Sequence, residues 1–249
     1  MSPEIISQLV DVCHRLYAHG MVTAMDGNVS VRLSSGNILT TRSGVNKGMV
    51  TANDFVELSP DGKQSFSKGK PSTEVGMHLY IYQQRSDVHA VVHAHPTYAT
   101  GFATARIALD GCVFPEVIVG MGAIPLAAYA TPSTIELAES LSPYIKNSDA
   151  ILLTNHGAVT YGATLYDAYF KMEKVEHAAH ISFVAHMLGG AHSLNREELT
   201  KLRNVSVQSY GKDLSKKIAC EVSEESGEEL SDAAVREYIL QSLQKQGLA

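Results

Sequence analysis

The chain of 249 residues is 45% hydrophobic and 18% charged, which is typical of a globular protein with one large domain. Its net charge of -6 and the lack of a Lys/Arg cluster argue against a nucleic-acid binder. The sequence shows neither an apolar stretch as long as a membrane span nor an N-terminal secretory signal. Its three cysteines, odd in number and far apart, predict no disulfide framework and a cytoplasmic location. They are Cys13, Cys112 and Cys220.

Predicted helices and strands alternate along the chain, which indicates a single α/β domain. The predicted helices cover residues 3–19, 75–84, 97–105, 132–141 and 165–188. The predicted strands cover residues 26–33 and 38–41, which form a hairpin, and 55–58, 88–95, 113–119, 123–129 and 150–153. Three histidines on the last helix are interpreted as surface or core residues, because no carboxylate pattern accompanies them. They are His177, His180 and His186.

Two histidines stand at the end of a short apolar strand. In a strand, alternate side chains share a face, so His93 and His95 project from the same side. Pro96 lacks a backbone N–H and ends the strand there. Two imidazoles in this arrangement suit a divalent metal such as Zn²⁺. The alternative is a pair of buried histidines bonded to backbone, since a tetrahedral site needs at least one more protein ligand.

A third histidine and a glutamate complete the candidate metal site. His156 follows the predicted strand over 150–153, and three histidines with an open fourth position are typical of catalytic zinc. Such a zinc ion can bind the oxygens of a sugar and stabilise an enediolate. Glu74, at the start of the helix over 75–84, is the candidate proton carrier. Taken alone, Glu74 is explained as readily by the helix dipole.

The segment from Thr41 to Gly48 is a polar loop of small residues, of the kind whose backbone N–H groups bind phosphate. Such loops are also common as simple turns. Ser72 and Thr73 are candidate caps for the following helix, whose free N–H groups would face an anion placed at its start.

Five motifs in this order resemble those of the class II aldolase/adducin family, over roughly residues 5–215. They are Gly27-Asn28-Val29-Ser30, Arg42-Ser43-Gly44, Pro71-Ser72-Thr73-Glu74, His93-Ala94-His95 and His156-Gly157. The resemblance is strongest to enzymes that cleave a ketose 1-phosphate into dihydroxyacetone phosphate and an aldehyde. It implies a three-layer αβα domain with a central mixed sheet and a homotetramer with active sites between subunits.

The resemblance also assigns roles to individual residues. It implies Zn²⁺ on His93, His95 and His156, with Glu74 as fourth ligand in the empty site and as catalytic proton carrier when substrate is bound. Asn28 would contact the substrate, and the tail residue Tyr210 would help to protonate the aldehyde oxygen. The phosphate group would be held by Ser43, Gly44, Ser72 and Thr73.

Two positions depart from the family pattern. An interface tyrosine of the aldolases falls on Phe114, which has no hydroxyl, and Tyr98 and Tyr129 are the candidate replacements. A threonine that helps to bind phosphate falls near Met25. Other zinc enzymes of the fold stay open as alternatives: 4-epimerases, which carry Asp where Glu74 stands, dehydratases and 3-oxo-tetronate-4-phosphate decarboxylases. A non-catalytic adducin-like binding module is a further alternative, against which the three histidines and Glu74 argue.

The C-terminal tail is expected to lie beyond the catalytic domain of residues 1–215. Residues 216–232 are acidic and serine-rich, as in a solvated linker. Residues 233–249 contain a short amphipathic helix with Val235, Ile239 and Leu243 on one stripe. Since an isolated helix this short is only marginally stable in water, we expect it to dock on a protein surface. That surface is either its own tetramer or a shell protein of a bacterial microcompartment, since the segment resembles encapsulation peptides.

Overall fold

The computed structural model describes residues 3–64, 69–210, 217, 219 and 220. The described residues form one seven-stranded sheet. Its strands are β1 (Asn28–Arg32), β2 (Ile38–Thr41), β3 (Phe55–Leu58), β4 (Ala90–Ala94), β5 (Leu126–Ala127), β6 (Ala150–Leu153) and β7 (Gly157–Gly162). They lie in the order β3-β2-β1-β4-β7-β6-β5. The pair β5–β6 is parallel and the other described pairs are antiparallel, so the predicted mixed sheet is confirmed.

Helices cover both faces of the sheet and complete the three-layer αβα arrangement. They are α1 (Pro3–Ala18), α2 (Val75–Gln84), α3 (Thr97–Ala105), α4 (Pro115–Gly120), α5 (Ile135–Glu139), α6 (Leu165–Met187) and α7 (Arg196–Tyr210), with a 3-10 turn at Lys47–Met49. One buried core joins the sheet to α1, α3 and α6, and a second joins the other face to α2 and α5. Among the described residues, no helix is both long and apolar enough to span a bilayer.

The central strand β4 distributes its side chains between the two cores. Val92 and Ala94 point into the core under α1, α3 and α6, whereas Val91 points into the core under α2. Because side chains alternate along a strand, His93 shares the α2 face with Val91. Its partner in the neighbouring strand β1 is Asn28, which is also buried. Strand pairing therefore places two of the predicted site residues side by side beneath α2.

Several predicted elements are wrong or missing. The apolar run over 113–119 was predicted as a strand, but it forms α4, with Pro115 in the first helical turn where its missing N–H does no harm. The strand predicted over 123–129 shortens to the two residues of β5, and the helix over 132–141 shortens to α5. Strand β7 and helix α7 were not predicted.

The cysteine prediction also needs correction. Cys112 and Cys220 form a disulfide across 108 positions of sequence, beside a small apolar cluster of α4 and α7, and Cys13 is free and buried. Wide sequence separation did not exclude a bridge, because Cys112, ahead of α4, and Cys220 meet in space. Apart from residues 217, 219 and 220, the predicted linker over 216–232 lies outside the described residues, as does the amphipathic segment over 233–249. Those predictions, and the domain boundary at residue 215, stay predictions.

Candidate metal centre

His93 and His95 enter the centre from the carboxyl end of β4. His93 is fully buried, and its Nδ1 donates to the carbonyl oxygen of Ala158 at 2.9 Å. A carbonyl can only accept, so this bond leaves the His93 Nε2 lone pair free for a metal. His95 lies just past the strand, with its backbone N–H bonded to the Met21 carbonyl at 2.9 Å. The two Nε2 atoms are 3.1 Å apart, as the strand alternation predicted.

His156 reaches the same point from the tight turn between β6 and β7. Asn155, immediately before it, adopts a left-handed conformation with φ of 56°, which asparagine tolerates well. Any side chain at position 157 would force the neighbouring backbone or His95 to move. A Cβ there would lie 2.5 Å from the Ala94 carbonyl oxygen and 2.7 Å from Cδ2 of His95. The small glycine therefore lets the His156 turn pack directly against the end of β4.

Glu74 closes the centre from the side of α2. It occupies the N-cap position of that helix but makes no side-chain cap bond. Its Oε2 lies 3.3 Å from Nε2 of His93, and its Oε1 lies 3.1 Å from Nε2 of His156. Burial alone would raise the pKa of Glu74, but His156 and His93 outweigh burial and hold it far below its ordinary value. The carboxylate is therefore ionised, and Asn28 Nδ2 donates to its Oε2 at 2.9 Å.

The geometry of these four side chains fits a tetrahedral zinc ion. Three of their six ligand-to-ligand distances are 3.1, 3.1 and 3.3 Å, which compare with about 3.3–3.4 Å for the edge of a tetrahedron with zinc–nitrogen bonds of ~2.0–2.1 Å. The ligand atoms of the three histidines all lie within 4.8 Å of one another. The ring centroids of His93, His95 and His156 are 4.7–5.0 Å apart, so the three imidazoles surround one point. Burial lowers the pKa of His95 to about 4, which keeps its lone pair available at neutral pH.

Unpartnered polar atoms give a second, independent indication of a ligand site. Six buried side-chain nitrogen or oxygen atoms of the described residues have no hydrogen-bond partner, and two of them, Asn28 Oδ1 and Glu74 Oε1, belong to the contacting pair at the centre. A third, His156 Nδ1, lies on the opposite side of the ring from the Nε2 that faces Glu74. Glu74 Oε1 is close to His156 Nε2, but not in hydrogen-bond geometry. Since buried polar groups are nearly always paired, atoms left over at one point mark a place where a metal or substrate completes the bonding.

The predicted phosphate-binding residues lie on two segments that pair beside the centre. Arg42 forms an isolated bridge with Pro71, and the N–H of Ser43 donates to the Lys70 carbonyl at 2.9 Å. Gly44 is exposed and has a φ of 72°, which favours glycine. The pairing brings the Ser43–Gly44 loop next to residues 72 and 73, directly before Glu74. Glu74 occupies the N-cap position instead of Ser72 or Thr73, while Ser72 Oγ accepts a hydrogen bond from the Glu74 N–H at 3.3 Å.

Two polar residues beside the centre were not picked out from the sequence. Lys47 is almost fully buried, and its Nζ donates to the carbonyls of Met25 and Val45 at 3.2 and 2.9 Å, tying together two loops that border the site. Burial lowers its pKa. Asp26 has a carboxylate oxygen 3.9 Å from Nδ1 of His95. Asp26 adjoins the Gly27-Asn28 motif, and this neighbouring position was the only signal available in the sequence.

The positions that depart from the family pattern lie in distinct surroundings. Phe114 is the N-cap residue of α4 and contacts the ring of His177 edge-on. Tyr98 stacks on His180 with centroids 3.9 Å apart. Tyr129 is 59% exposed. It lies two residues past β5, which runs parallel to β6, and so at the same end of the strands as His156. Tyr210 is the last residue of α7, but its side chain lies outside the described part of the chain.

The family model for the class II aldolase and adducin N-terminal domain matches residues 7–183. The chain belongs to this family. Every metal-site residue predicted from the sequence falls within the matched region, and so do the four residues predicted to bind phosphate. Tyr210 falls outside it.

Individual class II aldolase relatives agree with this assignment. The chain is 35% identical to an L-fuculose phosphate aldolase of Methanococcus maripaludis over 184 residues, which is 74% of this chain and 98% of the relative. It is 31% identical to a 3-oxo-tetronate 4-phosphate decarboxylase of Escherichia coli K12, over 71% of this chain and 85% of that protein. A solved L-fuculose 1-phosphate aldolase superposes with a TM-score of 0.75 at 30% identity, over 81% of this chain and 95% of that structure.

Proposed function

We propose that this protein is a zinc-dependent aldolase that reversibly cleaves a ketose 1-phosphate into dihydroxyacetone phosphate and an aldehyde. L-Fuculose 1-phosphate, or a related 5-deoxyketose 1-phosphate, is the proposed substrate, with lactaldehyde as the aldehyde product. The observation that carries the proposal is the convergence of His93, His95, His156 and Glu74 on one point beside the paired phosphate-loop segments.

The residues of the centre divide the work between binding and proton transfer. His93, His95 and His156 would hold the zinc ion, and a bound zinc ion would supply a Lewis acid for the carbonyl and hydroxyl oxygens of a sugar, which would make its C3–C4 bond easier to cleave. Glu74 carries a proton to or from C3 of the three-carbon fragment. Asn28, which already donates to the Glu74 carboxylate, is placed to bind a substrate oxygen when that carboxylate moves.

The remaining contacts orient the two ends of the substrate. We assign the phosphate group to Ser43, Gly44, Ser72 and Thr73, which lie on adjacent segments. Thr73 accepts a hydrogen bond from Ser133 at 2.9 Å, and this bond orients its side chain. On the aldehyde side, the family pattern assigns proton donation to Tyr210. Tyr129 is favoured over Tyr98 as the second hydroxyl, since Tyr98 is stacked on His180.

A second candidate activity is decarboxylation of a 3-oxo-tetronate 4-phosphate. The observation that favours it is the 31% identity with the Escherichia coli enzyme of that name. Both reactions break a carbon–carbon bond next to a carbonyl group, so the same metal and phosphate contacts would serve either one. The two reactions differ in the fragment that leaves, so the residue that contacts this fragment should discriminate between them. In the family pattern that residue is a tyrosine, and this chain has Phe114 at the matching position.

We also propose that the chain acts as a homotetramer. In support, α6 exposes large apolar side chains, among them Phe170, Phe183 and Met187, and its neighbour α3 adds a partly buried Phe102. A cytoplasmic location and packaging in a bacterial microcompartment through residues 233–249 remain proposals from the sequence. Analytical ultracentrifugation of the full chain and of a chain ending at residue 220 tests the assembly.

A substrate screen tests the proposed reaction. Zinc-loaded protein is incubated with L-fuculose 1-phosphate, related ketose 1-phosphates and a 3-oxo-tetronate 4-phosphate. Release of dihydroxyacetone phosphate and release of carbon dioxide are followed separately, each with and without a chelator. We expect chelator-sensitive dihydroxyacetone phosphate release. Carbon dioxide release without dihydroxyacetone phosphate would select the decarboxylase instead, and no turnover of any member would refute the proposal.

A further inference from the structure

A row of polar side chains joins strand β1 to helix α2 behind the metal centre. On β1 these residues alternate and so share one face, while on α2 they recur at every fourth position and so form one stripe. The row consists of Asn28, Ser30 and Arg32 on the strand and Glu74, His78 and Tyr82 on the helix. The catalytic pair Asn28–Glu74 is therefore the first step of a longer contact.

The spacing of the two elements lets this row stay in register. Two residues of a strand rise by about 6.7 Å, and four residues of a helix rise by about 6 Å. Each step along β1 therefore meets the next turn of α2. Ser30 Oγ lies 2.7 Å from Nδ1 of His78 and 2.8 Å from the hydroxyl of Tyr82. Arg32 follows one step further, donating to the Tyr82 carbonyl and lying over the Tyr82 ring.

These polar groups are deeply buried within an otherwise apolar layer. Ser30 and His78 have no exposed surface, and Tyr82 is 6% exposed, while Ile38 and Val91 pack around them in the same core. Well-packed apolar side chains usually stabilise such a position at least as well as a polar cluster does. Hydrogen bonds add direction, however, so this cluster fixes how α2 is rotated and shifted along β1.

The position of α2 matters because Glu74 immediately precedes it. The Glu74 side chain makes no cap bond, so its placement depends on the helix behind it and on Asn28. We propose that the Ser30–His78–Tyr82 cluster is a positioning device that holds the Glu74 carboxylate at its observed distances from His93 and His156. The inference rests on the proposed function for the chemical role of Glu74, and His78 acts as a positioning residue because it acts only through Ser30 and the helix.

The two ring nitrogens of His78 differ in a way that an experiment can use. Nδ1 contacts Ser30, whereas Nε2 has no hydrogen-bond partner among the described residues. Burial lowers the pKa of His78 to about 3, so the ring is neutral. An asparagine side chain places a polar atom where Nδ1 lies, and a glutamine places one where Nε2 lies. His78→Asn should therefore preserve the contact with Ser30, and His78→Gln should lose it.

The test compares full-length variants loaded with Co²⁺, whose visible absorption reports the ligand geometry without any turnover. Ser30→Ala and His78→Gln should alter the absorption bands and lower kcat by roughly 10- to 100-fold, with KM within about twofold of wild type. His78→Asn should retain the wild-type spectrum and most of kcat. Tyr82→Phe removes the hydroxyl that contacts Ser30 and should alter the absorption bands in the same direction as Ser30→Ala. Tyr80→Phe is its control and should leave them unchanged, since Tyr80 lies on the same helix but bonds outward to Ser142 at 2.6 Å.

The outcomes separate this inference from the proposed function. If wild type cleaves its substrate but Ser30→Ala and His78→Gln match it in spectrum and kcat, the positioning role is wrong. The positioning role is also wrong if His78→Asn and His78→Gln lose activity equally, because the loss would then reflect ring packing alone. If wild type binds Co²⁺ but turns over nothing, the proposed function fails, and altered spectra in Ser30→Ala and His78→Gln still support the inference.

Discussion

The two ends of helix α2 carry two buried polar clusters with opposite character. At its carboxyl end, Arg85 contacts Asp149, which precedes β6 and also pairs with Lys171 and Lys217. At its amino end, Glu74 faces His156, which follows the other end of β6. The same helix and strand therefore connect both clusters, so their differences do not come from different scaffolds.

The Asp149 cluster uses its hydrogen-bonding groups fully. Arg85 donates to Asp87, to Asp149 and to two backbone carbonyls, and Lys171 divides its donors among Asp149, Asp167 and the Tyr161 carbonyl. The metal centre instead leaves Asn28 Oδ1, Glu74 Oε1 and His156 Nδ1 without hydrogen-bond partners within the described chain. A satisfied cluster stabilises a fold, whereas an unsatisfied one is ready to bind a ligand.

The largest expected effect comes from removing a metal ligand. His95→Ala should strip most of the zinc and abolish cleavage, because the site loses one of its three imidazole ligands and Glu74 cannot serve as a permanent ligand and also carry the proton. Metal analysis and product release measure the effect. The control is His186→Ala, since His186 is exposed and bonds to the Ser182 carbonyl. Full cleavage by metal-free His95→Ala protein would contradict the assignment.

A large effect is also expected at Glu74. Glu74→Gln keeps the size of the side chain and removes the base, so turnover should fall by roughly 10²–10⁴-fold. Hydrogen exchange at C3 of dihydroxyacetone phosphate, measured without aldehyde, isolates the proton transfer. The exposed residue Glu139 provides the control Glu139→Gln. Exchange at the wild-type rate in Glu74→Gln would assign the base to another residue.

The satisfied cluster should respond in stability rather than activity. Asp149→Asn removes the carboxylate shared by three cations, and we expect the free energy of unfolding to fall by about 3 kcal/mol. Urea unfolding at neutral pH measures this, while zinc content and kcat per folded protein should not change. The comparison variant is Asp61→Asn, whose ion pair with Lys63 is exposed and should matter little. Loss of zinc in Asp149→Asn would refute the division of roles.

The same cluster predicts how stability depends on pH. Burial would raise the pKa of Asp149, but Lys171 and Lys217 outweigh burial and lower it to about 2 from an ordinary value of 3.8. A lowered pKa stabilises the fold above the ordinary value, and this contribution is lost as the pH falls from about 4 towards 2. Wild type should therefore lose more stability than Asp149→Asn over that interval. Parallel pH profiles for the two proteins would contradict the ion-pair explanation.

The smallest effect concerns the packing of the His156 turn. Gly157→Ala forces a methyl group against the Ala94 carbonyl and His95, so we expect a loss of about 1–3 kcal/mol in stability together with weaker zinc binding. At the control position, Gly111, an added Cβ would meet no atom nearer than 3.8 Å. Calorimetric zinc titration of Gly157→Ala and Gly111→Ala compares the two. Equal affinities would show that the turn does not position the ligands.

Local patterns predicted the first half of the fold more accurately than the second. The bounds of α2 and α3 match the prediction, and at α3 Pro96 marks the start because it cannot extend the preceding strand. The run over 113–119 misled the prediction, since β-branched residues favour strands while Pro115 and tertiary burial favour a helix start. Strand β7 was missed although Asn155 and Gly157 mark a turn after β6, because the histidine in that turn was interpreted only as the end of a buried strand.

The candidate site was predictable in its ligands but not in its supporting contacts. His93 and His95 follow from strand alternation, His156 from its place after the apolar strand over 150–153, and Glu74 from its place at the start of a helix. The family resemblance added the role of Glu74 as a fourth ligand. Ser30 and His78 lie 48 positions apart and carry no individual signal, so only the packing of α2 on β1 reveals their bond. The Cys112–Cys220 disulfide was missed for the same reason.

Zinc titration of purified metal-free protein tests the central claim most directly. It asks whether the cluster at the amino end of α2, where polar atoms lack hydrogen-bond partners, binds a metal. We predict one zinc ion per chain in wild type and in Asp149→Asn, and none at the same concentrations in His156→Ala. Addition of zinc should restore cleavage to the chelated wild type. Wild type that binds no zinc, or His156→Ala that binds zinc as tightly as wild type, would contradict the account.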